Sequence, residues 1–313
     1  MILYLRTLPV CMLTIIQQSV HGMSMCFSVL FLCKANPKNY SAGILTVLLT
    51  CRKEDLDGGR NSRDYYPLVA ETVTGLSKLC IANKGHLPTS LPVKPSSRPS
   101  PLVQICHGSP SILILLACAR SDEHLGYHYW EPEWDEAIRL ATQRVWNEGL
   151  LSKGGGICHG IAGNAWSMLL LHNCFEYGKN LNDKAKHNYR KRTGMTKCPR
   201  MEDDLDGDYF LSRALAFLLH ARETQPYNSS REPSSNKYRM PDHPYSLFEG
   251  LGGTVCAWAE ACAAIQTKLR KMELENAGAE PRTAPEDDEI FAALSLRQLG
   301  FPCLGGHGPS TLF

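Results

Sequence analysis

A chain of 313 residues is long enough for one large domain or two ordinary ones, with a sizeable core. Its formal net charge of +2 excludes a strongly basic or acidic character, so no nucleic-acid partner and no membrane partner is expected. Thirteen cysteines, an odd number, lack the even spacing of a disulfide framework and read as reduced thiols in a cytoplasmic or nuclear setting.

Residues 1–35 stand apart. The stretch 1–33 is strongly apolar, with Arg6 as its only formal charge and Gln17, Gln18 and His21 in its middle. A secretory signal needs an unbroken apolar run with a small-residue cleavage site, and a membrane helix needs about 20 apolar residues. The Gln17-Gln18 break leaves neither, so an atypical N-terminus is expected here.

Residues 36–50 read as a turn followed by an apolar helix over 42–49, and the charged, Gly-bearing 51–63 as a loop. Val69, Val73, Leu76 and Cys80 have the spacing of an amphipathic helix across 64–82. Residues 87–101 carry too much Pro and Ser for a regular helix and lead as a loop into Cys106. There Cys106-His107-Gly108 stands ahead of the apolar run 111–116. Residues 131–151 form the clearest helix, with Trp134, Ile138, Ala141 and Val145 on one face and Glu133, Arg139 and Arg144 toward solvent. A second Cys-His-Gly turn, Cys158-His159-Gly160, follows Lys153 and opens the apolar run 166–171. The polar, charged stretch 179–207 reads as an insertion or long loop. Phe210, Leu211, Ala214 and Leu218 mark a helix over 208–223, and 224–243 forms a second polar, Pro-bearing loop. An Ala-rich helix is expected over 253–271, and an exposed, charged stretch over 272–288.

One unit underlies this order. A Gly-bearing turn followed by an apolar helix recurs at Gly43, Gly108, Gly160–Gly163 and Gly250–Gly253, with amphipathic helices between most of them. Helices apolar all round are covered on every side; those with a wet face lie outside them. The pattern predicts an all-α (α/α) toroid or solenoid of helix pairs.

Cys and His are soft donors suited to zinc. No Cys-x2-Cys pair stands near a His-x3-His pair, which excludes a small zinc knuckle. Cys106, Cys158 and His159 come from two separate turns, a pattern suited to helix ends that converge in a large domain. Three protein ligands leave a fourth zinc position open, as in catalytic sites. On the motifs alone, two buried structural cysteines and a helix-capping histidine stand as an equal alternative.

Four blocks in order carry a resemblance: Ile105-Cys106-His107-Gly108-Ser109-Pro110, then Lys153 through Ala165, then Arg239 through Gly250, then Leu299-Gly300-Phe301-Pro302. They resemble the C-terminal half of the LanC-like proteins, eukaryotic relatives of the bacterial lanthionine cyclases. The resemblance spans residues 36–313 and is densest from 102 to 260, with Ser111 where the family pattern has glycine. It implies a toroid of paired helices whose inner ends meet at a Zn2+, with Cys106, Cys158 and His159 as ligands; His107 is not assigned. It places Lys153 and Arg239 at basic positions that contact glutathione or a phosphorylated substrate. The implied chemistry is thiol addition to dehydroalanine or dehydrobutyrine in dehydrated peptides or proteins, with glutathione as co-substrate. Because the family toroid needs more helix pairs than are found, residues 36–313 are expected to form an incomplete toroid, roughly half of a LanC-like barrel. Polar insertions fall near 179–207 and 224–238, and residues 1–35 resemble nothing in the family.

Two departures shape the functional reading. The family's acid-bearing His-Gly turn corresponds to Asn39-Tyr40, and its other acid–base candidate, an Asp, has no counterpart. A thioether-forming enzyme therefore stands beside a non-catalytic zinc- and glutathione-binding or scaffold protein that lacks the general acid. A carbohydrate-active helical toroid would want paired carboxylates at inner-helix ends, and only Glu249 is present. Glu249 is expected to be satisfied by backbone amides at a helix start, and Asn164 to cap the inner helix.

Overall fold

The computed structural model describes residues 41–51, 53–57, 64–88, 102–195, 205–228, 238–276 and 288–302. Residues 1–35, Asn39 and Tyr40 lie outside them. The described chain is helical: α1 (Ser41–Leu48), α2 (Lys53–Leu56), α3 (Tyr66–Ala82), α4 (Ser109–Ser121), α5 (Glu123–Tyr129), α6 (Pro132–Glu148), α7 (Ile161–Glu176), α8 (Lys179–Thr193), α9 (Gly207–Ala221), α10 (Leu251–Asn276) and α11 (Glu289–Ser295). One short antiparallel hairpin, β1 (Val103–Gln104) and β2 (His107–Gly108), precedes α4. Among the described residues no helix is long and apolar enough to cross a membrane.

The turn-led helices α1, α4, α7 and α10 pack on one another in chain order, each against the next. Their composition explains the inner position. Every residue of α7 from Ile161 to Cys174 is buried, and so is α4 from Ile112 to Arg120, so neither can offer a face to water. The amphipathic helices pack outside this row, α3 against α6 and α9 against α7. Each buries the stripe that its spacing predicts: Val69, Val73, Leu76 and Cys80 on α3, Trp134, Ile138, Ala141 and Val145 on α6, and Phe210, Leu211, Ala214 and Leu218 on α9. This is the all-α architecture of helix pairs found in an (α/α) toroid.

Two fully buried tryptophans anchor the layers. Trp134 seats its ring between α3 and α6, and its indole N–H donates to Thr74 Oγ1 at 2.9 Å, which removes the cost of burying a polar tip. Trp166 on α7 meets Phe301 edge-on, with ring centroids 5.5 Å apart. Around Phe301, Asn173 Nδ2 donates to Gln298 Oε1 at 2.6 Å and the Leu299 N–H donates to Glu260. The fourth resemblance block is thus pinned to α7 and α10.

The stretch 179–207 corrects the sequence reading. Rather than one long loop, its first half is the helix α8, Lys179–Thr193. Its periodicity is nearly silent because only Asn182 and Ala185 are buried. Other forces hold it: Asn182 accepts from buried Arg120 at 2.8 Å, Arg190, Lys191 and Arg192 suit the C-terminal dipole, and left-handed Gly194 stops it. The charged stretch after Lys271 is also partly helical, since α10 continues to Asn276. The short helix α5 had no sequence signal of its own; Asp122 starts it by accepting from the Leu125 N–H at 2.6 Å.

Candidate metal centre

The site is built where α4, α7 and α10 begin. At α7 the glycine turn folds back over the helix start, and the carbonyls of Gly154, Gly155 and Gly156 accept from the N–H groups of Ile161, Ala162 and Gly163 at 3.1, 3.1 and 3.4 Å. These are first-turn donors that a capping side chain would otherwise have to satisfy. The same device recurs at α10, where Pro244 O accepts from the Leu251 N–H at 2.7 Å. It brings Gly160 onto the backbone of Gly154 and Gly156, and Gly250 onto that of Pro244, so closely that any Cβ would overlap. Gly108, the N-cap of α4, has φ +124 and would drive a Cβ into the Leu102 carbonyl.

Main-chain bonds then join the three turns. The Cys106 N–H donates to Cys158 O at 3.3 Å, the Cys158 N–H to Phe248 O at 2.7 Å, and the Arg239 N–H to Ser152 O at 2.7 Å. Three of the resemblance blocks, far apart in sequence, therefore meet as one backbone cluster.

The predicted donors come together there. Cys106 Sγ, Cys158 Sγ and a ring nitrogen of His159 all lie within 4.8 Å of one another, and no other group of three such donors does so among the described residues. Neither cysteine is in a disulfide. Their ionisation is asymmetric. The Cys106 thiol is pulled down to about 5, chiefly by the hydrogen bond from Cys158; burial opposes this, and His159 and His107 assist it. Cys158 is pushed up by the same sulfur contact, by burial, and by the charges of Cys106 and Glu249, with Lys153 only partly offsetting them. The pair holds one thiolate readily and resists a second unless a cation supplies the missing positive charge.

That donor set fits zinc. Thiolates are soft ligands and imidazole also suits zinc, and tetrahedral Zn–S and Zn–N bonds put ligand atoms about 3.5–3.8 Å apart. Donors already within 4.8 Å of one another need to approach by no more than about an ångström to reach that spacing.

Lys153 and Arg239 are exposed side chains on the two segments that the Arg239–Ser152 bond joins. Lys153 is close enough to Cys158 to favour its thiolate, and the Gly154 turn beside it packs against Pro241 and Arg239. The two residues thus stand on neighbouring backbone segments, Lys153 within electrostatic reach of Cys158.

Two expectations are corrected. Asn164 does not cap α7, whose N-cap is Gly160. With the first-turn donors already taken by the glycine carbonyls, its buried amide instead donates to Gly149 O at 2.8 Å and Val103 O at 3.2 Å, tying the hairpin to the start of α7. Glu249 is not fully satisfied by backbone amides: its Oε2 is buried without a hydrogen-bond partner, 4.0 Å from His243 Nε2. Sequence reasoning also missed Gln104, whose Nε2 donates to Cys106 Sγ at 3.1 Å. His107, passed over as a ligand, keeps a buried Nδ1 without a partner. Asn39, the position of the absent acid, lies outside the described residues.

Comparison with known proteins gives a consistent picture. The family model for lanthionine synthetase C-like proteins matches residues 41–274. Glutathione S-transferase LANCL1 of Danio rerio is 27% identical over 173 residues, covering 55% of this chain and 32% of the relative. LanC-like protein GCL1 of Arabidopsis thaliana is 27% identical over 240 residues, covering 75% of this chain and 42% of the relative. The chain thus spans less than half the length of either relative.

Proposed function

This chain belongs to the lanthionine synthetase C-like family, and from that premise we propose that it is a cytoplasmic zinc protein that binds glutathione and serves thioether formation on dehydrated peptides or proteins. The observation that carries this reading is the convergence of Cys106, Cys158 and His159 within 4.8 Å at the start of the inner helices. Zinc held by these three side chains would supply the positive charge that keeps a bound thiol ionised at neutral pH. The name of the Danio rerio relative, a glutathione S-transferase, supports glutathione as the source of that thiol.

The chain's own residues do the rest. Lys153 and Arg239 offer cations to the glutathione carboxylates, Lys as a point charge and Arg as a two-pronged donor. The reaction is an addition with no leaving group. The sulfur forms a bond to the β-carbon of the dehydroamino acid, the π pair of the broken double bond moves onto the adjoining carbonyl, and a proton then adds at the α-carbon. A group that delivers this proton is required.

That last requirement supports a second reading. Position 39 is Asn, whose amide is no proton donor of this kind, so a binding or scaffold protein that holds zinc and glutathione without turnover is the alternative. One experiment separates the two. Zinc-loaded chain is titrated with glutathione by calorimetry, then mixed with glutathione and a dehydroalanine-containing peptide, and the peptide mass is followed. Glutathione binding with adduct formation faster than in enzyme-free buffer supports the enzyme. Binding without acceleration supports the scaffold, and absence of glutathione binding removes both.

A further inference from the structure

Cys106 comes from a short hairpin, whereas Cys158 and His159 share the glycine turn that opens α7. It lies in the two-residue turn, Ile105–Cys106, between strands of two residues each. Such a ladder has little stability of its own. The hairpin's backbone is held by the Cys106 N–H bond to Cys158 O and by the Asn164 amide on Val103 O. Neither bond fixes the direction of the Cys106 side chain. Its sulfur contacts Cys158 and His159, but these are the partners that a metal would draw into new positions. Gln104 is different. It faces His107 across the hairpin, is only 7% exposed, and donates from Nε2 to Cys106 Sγ at 3.1 Å.

A buried carboxamide in so small a hairpin is costly unless its polar atoms find partners. Here the donor's partner is the sulfur of a residue two positions on. We propose that Gln104 is a positioning residue for Cys106: its N–H holds the sulfur toward Cys158 and His159 and supplies it with a hydrogen bond that a bound metal does not displace. This inference rests on the zinc reading above. It adds a member to the site from outside the donor set, of the kind that commonly tunes metal affinity by about tenfold to a hundredfold.

The test uses the full chain with Gln104→Met and Gln104→Leu, both close to Gln in size, uncharged and unable to donate a hydrogen bond. Zinc affinity is measured by competition with a chromogenic chelator, and the sulfur-to-metal charge-transfer band is recorded after loading with Co(II). Thermal melts of the metal-free proteins report folding independently. Zinc affinity is expected to fall about tenfold or more in both variants, with a displaced charge-transfer band. If Gln104 merely fills space, Gln104→Met fills the slot equally well and leaves affinity and band unchanged, which overturns the proposal. Should Gln104→Met fail to melt cooperatively, Gln104→Leu decides in the same way. Wild-type protein that binds no zinc overturns the zinc reading and this inference together; wild-type binding matched by the variants overturns this inference alone.

Discussion

The inner helices treat their two ends differently. At the C-terminal ends the charges satisfy one another. Arg120 of α4 pairs with buried Asp135, donates to Asn182 at 2.8 Å, and stands over the Phe175 ring at 4.7 Å. Glu176 of α7 is held by Lys268 at 3.0 Å and Lys271 at 2.8 Å. Arg270 of α10 pairs with Asp288 at 2.8 Å. At the N-terminal ends the reactive groups are gathered differently: two thiols and an imidazole share contacts, Glu249 Oε2 and His107 Nδ1 are buried without a hydrogen bond, and Lys153 and Arg239 are exposed. The C-terminal ion pairs tie neighbouring helices together, whereas the N-terminal ends gather soft donor atoms beside two exposed cations.

If that contrast is right, changes at the C-terminal ends should register in stability and changes at the N-terminal ends in binding. The largest stability loss should come from Arg120→Met, which strands the Asp135 carboxylate in the interior and is expected to cost about 3–5 kcal/mol. Adding Asp135→Leu should recover much of it, because no buried charge then remains. Urea midpoints at constant slope would read both; a loss under about 1 kcal/mol in the single variant would break the comparison.

A smaller effect, about 2 kcal/mol at neutral pH, is expected for Glu176→Gln, and its pH dependence is distinctive. Burial pushes the Glu176 carboxyl up, but Lys271 and Lys268 outweigh that and hold it below the usual carboxylate value. A carboxyl depressed in the folded state contributes stability in full above its unfolded pKa and loses it as pH falls through the folded pKa. The difference between wild type and Glu176→Gln should therefore shrink in acid. A gap that stays constant as the pH is lowered through the carboxylate range would show that the lysines do not stabilise this charge.

The smallest stability effects belong to the two exposed cations. Lys153→Ala and Arg239→Ala should each change stability by no more than about 0.5 kcal/mol. Each should weaken glutathione binding by about tenfold, the effect of losing one charge-assisted bond. Calorimetry on the zinc-loaded proteins checks this, and unchanged affinity in both would remove these cations from the site.

How much the sequence discloses depends on whether a feature is local. The donors were legible because the same tripeptide stands twice at the head of an apolar run. Helices α3, α6 and α9 were legible because each alternates a buried stripe with a wet face. Helix α8 was not, since it buries only Asn182 and Ala185 and presents no apolar period. Asn164 looked like a cap because it follows a glycine turn; only the fold shows that backbone carbonyls 154–156 already meet those N–H groups. The role of Gln104 depends on a hairpin of two residues per strand, too short to register as alternation. Glu249 was readable as a carboxylate at a helix start, but that one of its oxygens stays unpartnered follows from the packing of three separate turns.

The central claim is that the Cys-His-Gly turns form one metal centre. Elemental analysis of purified chain, wild type beside Cys158→Ala, tests it most directly. The account predicts about one zinc per wild-type chain and loss of that zinc in the variant while cooperative melting persists. Folded wild-type protein without zinc, or equal zinc in both proteins, would contradict it.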